Sequence, residues 1–366
     1  MHPVVIAAGG TGGHFFPAEA LANELARRGL RIALMTDARS GGLASPVFEQ
    51  RERFVIRGAG IAGRGVVRAG RAVLALGAGT LQACAILARL NPAVLIGFGG
   101  YPSVAPVLAA RLLRHRPRVL LHEQNAVLGR ANVRLARFAD TLALSFETTT
   151  RVPAGANSVV TGNPVRPAVS ALAGAGYAPP GDSIRLLVLG GSLGARVFSD
   201  VVPPALAQLP PALRARLRLT QQCRAEDLER VRAAYAESGI DAELAPFFGN
   251  VAALLERAHL VIARAGASTV AELAVVGRPA LLVPLPGAID DHQTANARAL
   301  TDAGGGWLMA QPSFSPGNLA LRLERLLGEP LLLRDAAAHA AACGHAGAAV
   351  RLADLVEQHM IRESAA

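Results

Sequence analysis

Short apolar runs alternate along the chain with longer stretches whose apolar residues recur at helical spacing. Five runs in the N-terminal half are typical of buried parallel strands: residues 4–8, 31–36, 94–96, 119–121 and 141–144. The pattern then restarts with four further runs: residues 184–189, 218–222, 260–263 and 280–283. Alternation of this kind predicts α/β domains built on parallel sheets, and two sets predict two Rossmann-like domains.

The length of the chain, 366 residues, also favours two domains. The prolines and glycine of residues 161–167 interrupt the pattern, so we expect an N-terminal domain over 1–162 and a C-terminal domain over 163–344. Residues 345–366 are expected to form a helix that crosses back to the first domain. A helix over residues 18–28 is predicted to follow Pro17 and to end at Gly29.

The composition is that of a folded protein, with 51% apolar and 17% charged residues. Its three cysteines lie far apart, so neither a disulfide framework nor a zinc cluster is expected. No lysine is present, which excludes a P-loop lysine and Schiff-base chemistry.

The positive charge is concentrated in one half of the chain. Residues 1–162 hold 19 arginines against 8 acidic residues, and residues 163–366 hold 18 against 19. This asymmetry indicates a polyanionic partner: an anionic membrane, a nucleic acid or a phosphorylated substrate. The low aromatic content, 4%, disfavours nucleic-acid binding.

We expect no targeting segment, and the uncharged, mostly apolar run of residues 72–88 is expected to be too short to span a membrane. If this run is helical, the arginines before it can meet lipid phosphates while apolar residues touch the acyl boundary. The predicted patch comprises Arg64, Arg68, Arg71, Val73, Leu74 and Leu76. The alternative is a helix buried in the Rossmann core.

Three glycine-rich turns follow predicted strands: GGTGGH at 9–14, GFGGYPS at 97–103 and GGSLGAR at 190–196. A strand, a glycine-rich turn and a helix start together place free backbone N–H groups where a phosphate can bind. A dinucleotide site is disfavoured because Phe15 and Ser192 stand where GxGxxG requires glycine. A single diphosphate fits better.

Polar residues cluster at two other strand ends. HEQN at 122–125 follows one strand but lacks the HExxH spacing of a zinc protease. RAGASTVAEL at 264–273 follows another strand, and Glu272 is suited either to a ribose diol or to a helix capping box. In open α/β sheets, ligands bind at these carboxyl ends.

These segments, with TGNPVR and DDHQTANA, resemble the MurG family in composition and order. Members of this family are peripheral-membrane N-acetylglucosaminyltransferases that convert lipid I to lipid II in peptidoglycan synthesis. The resemblance implies a GT-B fold, with two Rossmann-like domains facing a cleft, and an inverting transfer from UDP-GlcNAc. It also implies roles in cell wall biogenesis, cell shape and cell division, and a location on the cytoplasmic face of the inner membrane.

The resemblance assigns roles to individual positions. The implied donor contacts are Thr11, Gly12, Gly13, Asn125, Arg166, Ser192, Phe248, Ala267, Ser268, Thr269, Val270, Ala271, Glu272 and Gln293. The implied acceptor contacts are Tyr101 and Asn132. Gly249-Asn250 replaces an acidic pair common in the family, beside the uracil contact expected from the Phe248 backbone.

A base for the acceptor hydroxyl is required by single displacement, and His14 and Glu123 are the candidates. We expect neither a resident cofactor nor a protein-bound metal. The expected partners are UDP-GlcNAc, lipid I and an anionic membrane surface, with other cell-wall synthesis proteins as further candidates. The alternatives are another GT-B enzyme, such as a lipid glucosyltransferase or a UDP-GlcNAc 2-epimerase, and more remotely a basic nucleic-acid-binding protein.

Overall fold

A computed structural model describes residues 2–9, 12–38, 45–56, 66–191 and 194–364, with side chains described for all of these except 66–71 and 362–364. The chain divides into two compact units. The N-terminal unit comprises Met1–Arg166 together with Gly347–Ala366, and the C-terminal unit comprises Pro167–Ala346. The C-terminal segment of the chain thus belongs to the first unit.

The N-terminal unit is built on a seven-stranded parallel sheet with strand order β3-β2-β1-β4-β5-β6-β7. Its strands are β1 (Val4–Ala7), β2 (Ile32–Thr36), β3 (Glu52–Val55), β4 (Val94–Gly97), β5 (Arg118–Glu123), β6 (Thr141–Leu144) and β7 (Ser158–Val160). Its helices are α1 (Gly12–Arg27), α2 (Pro46–Glu49), α3 (Val66–Leu90), α4 (Val104–Leu112), α5 (Arg130–Leu135) and α15 (Ala348–Ser364).

Helices cover both faces of this sheet. On one face, α1 and the C-terminal helix α15 pack together, and α15 lies against β4 and β5 with Leu352 and Val356 fully buried. Arg28, the first residue after α1, bonds Asp354 and Glu357 of α15, at 2.7 and 2.6 Å. This anchors the last helix to the first unit.

Helix α1 differs from its prediction at the N-terminus. It begins at Gly12 rather than at residue 18, and Pro17 lies inside it. Extending the helix to Gly12 buries Phe15 beside Phe48, with ring centroids 5.9 Å apart, and the gain in apolar burial offsets the backbone bond that proline cannot make. The predicted stop is confirmed, because Gly29 has φ +76° and Leu30 N donates to Leu25 O.

Helix α3 lies on the other face and packs along α4. Its segment Ala72–Leu90 is by length and composition sufficient to cross a membrane, so the prediction that the run is too short is wrong. Ala83, Leu87 and Leu90 face the core, yet most residues of the segment are not buried. The helix is therefore amphipathic in its packing, with one buried and one exposed side.

The C-terminal unit has a six-stranded parallel sheet with strand order β10-β9-β8-β11-β12-β13. Its strands are β8 (Ile184–Leu189), β9 (Leu217–Gln222), β10 (Asp241–Ala245), β11 (Leu260–Ala263), β12 (Ala280–Leu282) and β13 (Gly306–Leu308). Its helices are α6 (Pro167–Ser170), α7 (Arg196–Ala207), α8 (Pro211–Arg214), α9 (Leu228–Glu237), α10 (Val251–Arg257), α11 (Ala267–Val276), α12 (His292–Thr301), α13 (Pro316–Gly328) and α14 (Pro330–Ala342).

Both sheets reverse their strand order at one point, between β1 and β4 in the N-terminal unit and between β8 and β11 in the C-terminal unit. The loops that leave neighbouring strands at such a point run to opposite faces of the sheet, which opens a crevice at the carboxyl ends. Two parallel Rossmann-like sheets, as predicted, therefore each provide one ligand-binding crevice.

Candidate functional site

In the N-terminal unit, the crevice lies between the loops that follow β1 and β4. Gly12 and Gly13 form the first turn of α1, and His14 follows them, half-buried. A Cβ placed on Gly100, in the loop after β4, would lie 3.6 Å from His14 Nε2. The two glycine-rich loops thus converge on the imidazole, whereas Thr11 lies outside the described residues.

The HEQN segment at the end of β5 supplies the other side of this site. Gln124 Oε1 lies 2.7 Å from His14 Nδ1, and Gln124 Nε2 lies 2.9 Å from His122 Nδ1. His122 is completely buried, and its Nε2 lies 3.1 Å from the carbonyl oxygen of Gly162. Burial lowers the pKa of His122 to about 4, so its imidazole is neutral at physiological pH.

The carboxylate of Glu123 is buried and accepts four hydrogen bonds. Its Oε1 accepts from the backbone and side-chain amides of Asn125, both at 3.0 Å. Its Oε2 accepts from Gly129 N at 2.8 Å and Asn132 Nδ2 at 2.9 Å. These donors occupy the positions at which a base would accept a proton. The arrangement therefore favours His14 over Glu123 as the base. The Glu123 carboxylate instead holds residues 125–132 in place through these bonds.

Two predicted acceptor contacts are engaged inside the protein. Asn132 is 1% exposed, and its amide donates to Glu123 and to His122 O, so it is not placed to touch an acceptor directly. The hydroxyl of half-buried Tyr101 donates to the carboxylate of Asp37 at the end of β2. Asp37 stands at the strand end where a dinucleotide-binding domain carries its ribose-binding acid, and its bond to Tyr101 disfavours such a site.

Arg166 ends the N-terminal unit in the TGNPVR segment. Its guanidinium is half-buried and lies 5.8 Å from the centre of the Phe16 ring. Phe16 follows His14 by two residues in α1. A donor-binding role for Arg166 stays a prediction.

In the C-terminal unit, the loop after β8 is held by a glutamine that the sequence analysis missed. The Gln222 side chain accepts from Gly190 N at 3.0 Å and donates to the carbonyl oxygens of Gly191 and Pro246, at 2.9 and 3.1 Å. One amide thus connects the glycine-rich loop to the segment preceding Phe248. Ser192 lies outside the described residues.

The predicted nucleoside stretch coincides with the first turns of α11, after β11. Gly266 is the N-cap residue, so Ala267, Ser268 and Thr269 are the first three helical positions and Val270, Ala271 and Glu272 the next three. A capping-box glutamate belongs at the third position, so the capping reading of Glu272 is wrong. The buried Ser268 Oγ has no hydrogen-bond partner among the described residues.

Two further predicted donor contacts follow other strands of this sheet: Phe248 comes after β10, and Gln293 lies in α12, after β12. The Phe248 side chain is 7% exposed, whereas Phe247 beside it is 72% exposed. Gln293, half-buried near the start of α12, accepts a hydrogen bond from Leu285 N at 3.0 Å, and its side-chain amide nitrogen remains the end available to a ligand.

Two buried polar residues hold the loops that follow β11 and β12, and they were also missed. Arg264 donates to the carbonyl oxygens of Val283 and Pro284 and to Gln311, and burial lowers its pKa. Asn296, completely buried, donates to Ala265 O at 3.1 Å. These contacts join residues that are 19 to 47 positions apart in the sequence, so no local sequence pattern predicts them.

The exposed side of α3 partly matches the predicted membrane patch. Val73 and Leu74 are 68% and 74% exposed, but Leu76 is half-buried and packs against the core. Leu81, which was not predicted, is 71% exposed on the same helix. Arg64 lies outside the described residues, as do the side chains of Arg68 and Arg71.

Across the described part of the chain, no group of three or more His, Cys, Asp or Glu side chains is arranged to hold a metal ion. The buried guanidinium of Arg264 and the buried carboxylate of Glu123 are bonded to backbone and amide groups.

Comparison with known proteins agrees with this architecture. The glycosyltransferase family 28 N-terminal domain matches residues 4–144, and the glycosyltransferase family 28 C-terminal domain matches residues 185–355. These two matches cover most of both units.

A UDP-N-acetylglucosamine–N-acetylmuramyl-(pentapeptide) pyrophosphoryl-undecaprenol N-acetylglucosamine transferase from Granulibacter bethesdensis is 66% identical, over 98% of this chain and 94% of its own. The crystal structure of Acinetobacter baumannii MurG matches with a TM-score of 0.80 at 32% identity, over 97% of this chain and 99% of its own. A Neisseria meningitidis UDP-GlcNAc 2-epimerase, at 11% identity, TM-score 0.66 and 98% and 100% coverage, shares the fold alone. The chain therefore belongs to glycosyltransferase family 28 and, within it, to the MurG family of N-acetylglucosaminyltransferases.

Proposed function

We propose that this protein transfers N-acetylglucosamine from UDP-GlcNAc to the C4 hydroxyl of MurNAc in undecaprenyl-diphosphate-MurNAc-pentapeptide, converting lipid I to lipid II. The observation that carries the proposal is 66% identity, over 98% of the chain, to a transferase named for this donor and acceptor. The fold by itself would also suit an epimerase. The near full-length identity is what favours the transferase.

The donor is proposed to bind at the switch point of the C-terminal unit. The glycine-rich loop after β8 supplies backbone N–H groups for the diphosphate, with Ser192 among the contacts. The first turns of α11 lie beside the nucleoside, where Glu272 accepts from the ribose diol. Ser268 Oγ, which has no partner among the residues that the structure describes, is available to hydrogen-bond there. Gln293 and the backbone of Phe248 are proposed for the sugar and the uracil.

The chemistry is proposed to start at His14 in the N-terminal unit. Its Nε2 has no hydrogen-bond partner among the described residues, so it is available to accept the proton of the acceptor C4 hydroxyl. The C4 oxygen then bonds to C1 of GlcNAc as the bond from C1 to the phosphate oxygen breaks, and UDP leaves with that electron pair. Attack opposite the leaving group inverts C1, and backbone amides stabilise the departing diphosphate.

The exposed side of α3 is proposed to dock on an anionic membrane at the cytoplasmic face. The acceptor named for the relatives carries an undecaprenol chain, so the enzyme must work at a lipid surface. Val73, Leu74 and Leu81 offer apolar side chains, and arginines 64, 68 and 71 precede them in the half of the chain that carries the positive charge. Such a helix binds through both apolar burial and charge.

The membrane proposal is tested by Leu74→Ser combined with Leu81→Ser. The double variant is expected to lose binding to phosphatidylglycerol vesicles and activity on vesicle-embedded lipid I, while it keeps activity on a soluble short-chain acceptor. Leu321→Ser is the matched control, because Leu321 is 69% exposed on α13 of the other unit. Equal vesicle binding by the double variant and the control would refute docking through α3.

The proposed reaction is tested with purified protein, radiolabelled UDP-GlcNAc and lipid I, beside an acceptor that lacks the muramyl sugar. Label is expected to move to lipid I alone, and transfer to both acceptors or to neither would contradict the assignment. UDP-GlcNAc incubated without acceptor should yield no 2-epimer, which separates the transferase from the epimerase alternative.

A further inference from the structure

A continuous chain of side-chain hydrogen bonds links His14 to a backbone carbonyl deep in the N-terminal unit. It runs from His14 Nδ1 to Gln124 Oε1, from Gln124 Nε2 to His122 Nδ1, and from His122 Nε2 to Gly162 O, over 2.7, 2.9 and 3.1 Å. Gln124 and His122 are 1% and 0% exposed, so water does not compete for these bonds. Each member therefore has to supply a matching donor or acceptor.

The direction of every bond follows from the carbonyl at the buried end. Gly162 O only accepts, so His122 Nε2 must carry a hydrogen. Burial keeps His122 neutral, with a pKa of about 4, so its Nδ1 carries no hydrogen and accepts from Gln124. The Gln124 amide nitrogen also donates to His122 O at 3.1 Å, which fixes the same orientation of the amide independently.

The orientation of Gln124 then determines the tautomer of His14. With its nitrogen committed to His122, Gln124 presents its oxygen to His14 Nδ1, and an amide oxygen only accepts. His14 Nδ1 must therefore carry the hydrogen. In the neutral imidazole, this leaves the lone pair on Nε2, which is the nitrogen beside Gly100.

We propose that Gln124 and His122 are positioning residues that hold His14 in the Nδ1–H tautomer, with the Nε2 lone pair directed to the acceptor hydroxyl. The proposal rests on the proposed function for the identity of that hydroxyl, but the tautomer itself does not depend on it. Neither residue touches the substrates. Their effect is transmitted through the His14 ring.

A series of neutral hydrogen-bonding groups at His14 Nδ1 has a chemical advantage over a carboxylate at that position. An imidazole in water favours the Nε2–H tautomer, so a base that works through Nε2 needs a partner at Nδ1 to reverse the preference. A carboxylate does this in many hydrolases, but it places a negative charge near the base. Gln124 gives the same orientation without added charge close to an anionic diphosphate substrate.

The tautomer is measured directly by nitrogen-15 NMR of the full-length protein labelled at histidine, with the His14 signals assigned by their loss in His14→Gln. The wild type is expected to show a protonated Nδ1 and an unprotonated Nε2 at pH 8 without any substrate. A protonated Nε2 on His14 would overturn the proposal, and this measurement requires no variant of Gln124 to fold.

Two substitutions of Gln124 separate its roles. Gln124→Met keeps the length of the side chain but removes both bonds, so His14 should become a mixture of tautomers. Because only the Nδ1–H tautomer can act as the base, kcat should fall in proportion to its population, by about 5- to 50-fold, at unchanged KM for UDP-GlcNAc. Gln124→Glu keeps an acceptor for His14 Nδ1, so the Nδ1–H signature should be retained and kcat should exceed that of Gln124→Met.

Gln221→Met serves as the matched control, because Gln221 is a completely buried glutamine of the other unit, bonded to Tyr235. It should lower thermal stability but leave both the His14 signals and kcat near wild type. An unchanged His14 tautomer in a folded Gln124→Met protein would overturn the proposal. A wild type with the Nδ1–H signature but no transfer to lipid I would refute the proposed function while supporting the tautomer assignment.

Discussion

Replacing Gln222 is expected to weaken donor binding although this residue was not predicted as a donor contact. Its single amide bonds Gly190 and Gly191 of the glycine-rich loop and Pro246 of the segment before Phe248. Gln222→Met removes all three bonds at once. Both the proposed diphosphate contacts and the proposed uracil contact then lose their common support.

The size of the effect follows from which groups are left without a partner. Gly190 is buried, so its N–H loses its acceptor without gaining water, at a cost of about 1–3 kcal/mol. Gly191 and Pro246 are exposed, so their carbonyl oxygens can bond to water instead. If the free loop moves to relieve this cost, UDP binding has to restore the original loop conformation. UDP affinity should then fall by roughly 5- to 150-fold.

The measurement is isothermal titration of UDP into each variant well below its unfolding temperature, with the fitted stoichiometry reporting the folded fraction. Gln221→Met is again the control, because neighbouring residues of β9 face opposite sides of the sheet and Gln221 bonds Tyr235 instead. Equal UDP affinities for the two folded variants would refute the reasoning that Gln222 holds the donor loops.

Three other predictions concern the proposed ribose contact, the proposed base and the buried His122. Glu272→Ala should weaken UDP binding by roughly 1.5–3 kcal/mol, the value of a charge-assisted hydrogen bond, and unchanged affinity in calorimetry would remove it from the ribose site. His14→Ala should lower kcat by about 10²–10⁴-fold with nearly normal UDP affinity, whereas an equal loss of UDP binding would make it a loop-shaping residue. The folded state holds His122 neutral, with its pKa lowered from 6.5 to about 4, so the unfolded chain binds more protons in this window. The free energy of unfolding should therefore fall by about 3 kcal/mol as pH drops from about 6.5 to 4, and chemical denaturation of the wild type against His122→Asn should show that this slope is reduced in the variant.

The strands that the sequence predicted differ from those it missed in how completely they are buried, because a buried strand carries a continuous apolar run. All nine predicted strands are present, within two residues at each end. Among the described residues, the missed strands are β3, β7, β10 and β13, and each of them lies at an edge of its sheet. Edge strands are covered on fewer sides, so β10, for example, carries exposed Asp241 and Glu243 and lacks a continuous apolar run.

The helices show the same limit. The apolar run of α3 predicted a helix, but only its packing along α4 decides that Leu76 faces the core while Leu81 faces outward. Pro17 suggested a helix start, and the burial of Phe15 against Phe48 moved it to Gly12. A local sequence pattern predicts that a helix is present, whereas tertiary contacts determine where the helix begins and ends and which side is exposed.

The sequence by itself determined the two parallel sheets and the glycine-rich loops at their strand ends. A buried strand requires a run of apolar residues and a positive φ in a tight turn favours glycine, and both features are visible in consecutive residues. Resemblance of the motifs in those loops also indicated the family. Only the tertiary structure decided that Glu123 is saturated by four donors, that Asn132 is buried, and that Gln124 meets His14 across 110 residues. The physical reason is that a hydrogen bond depends on which atoms are brought within about 3 Å. Sheet order sets that proximity, and no spacing along the chain encodes it.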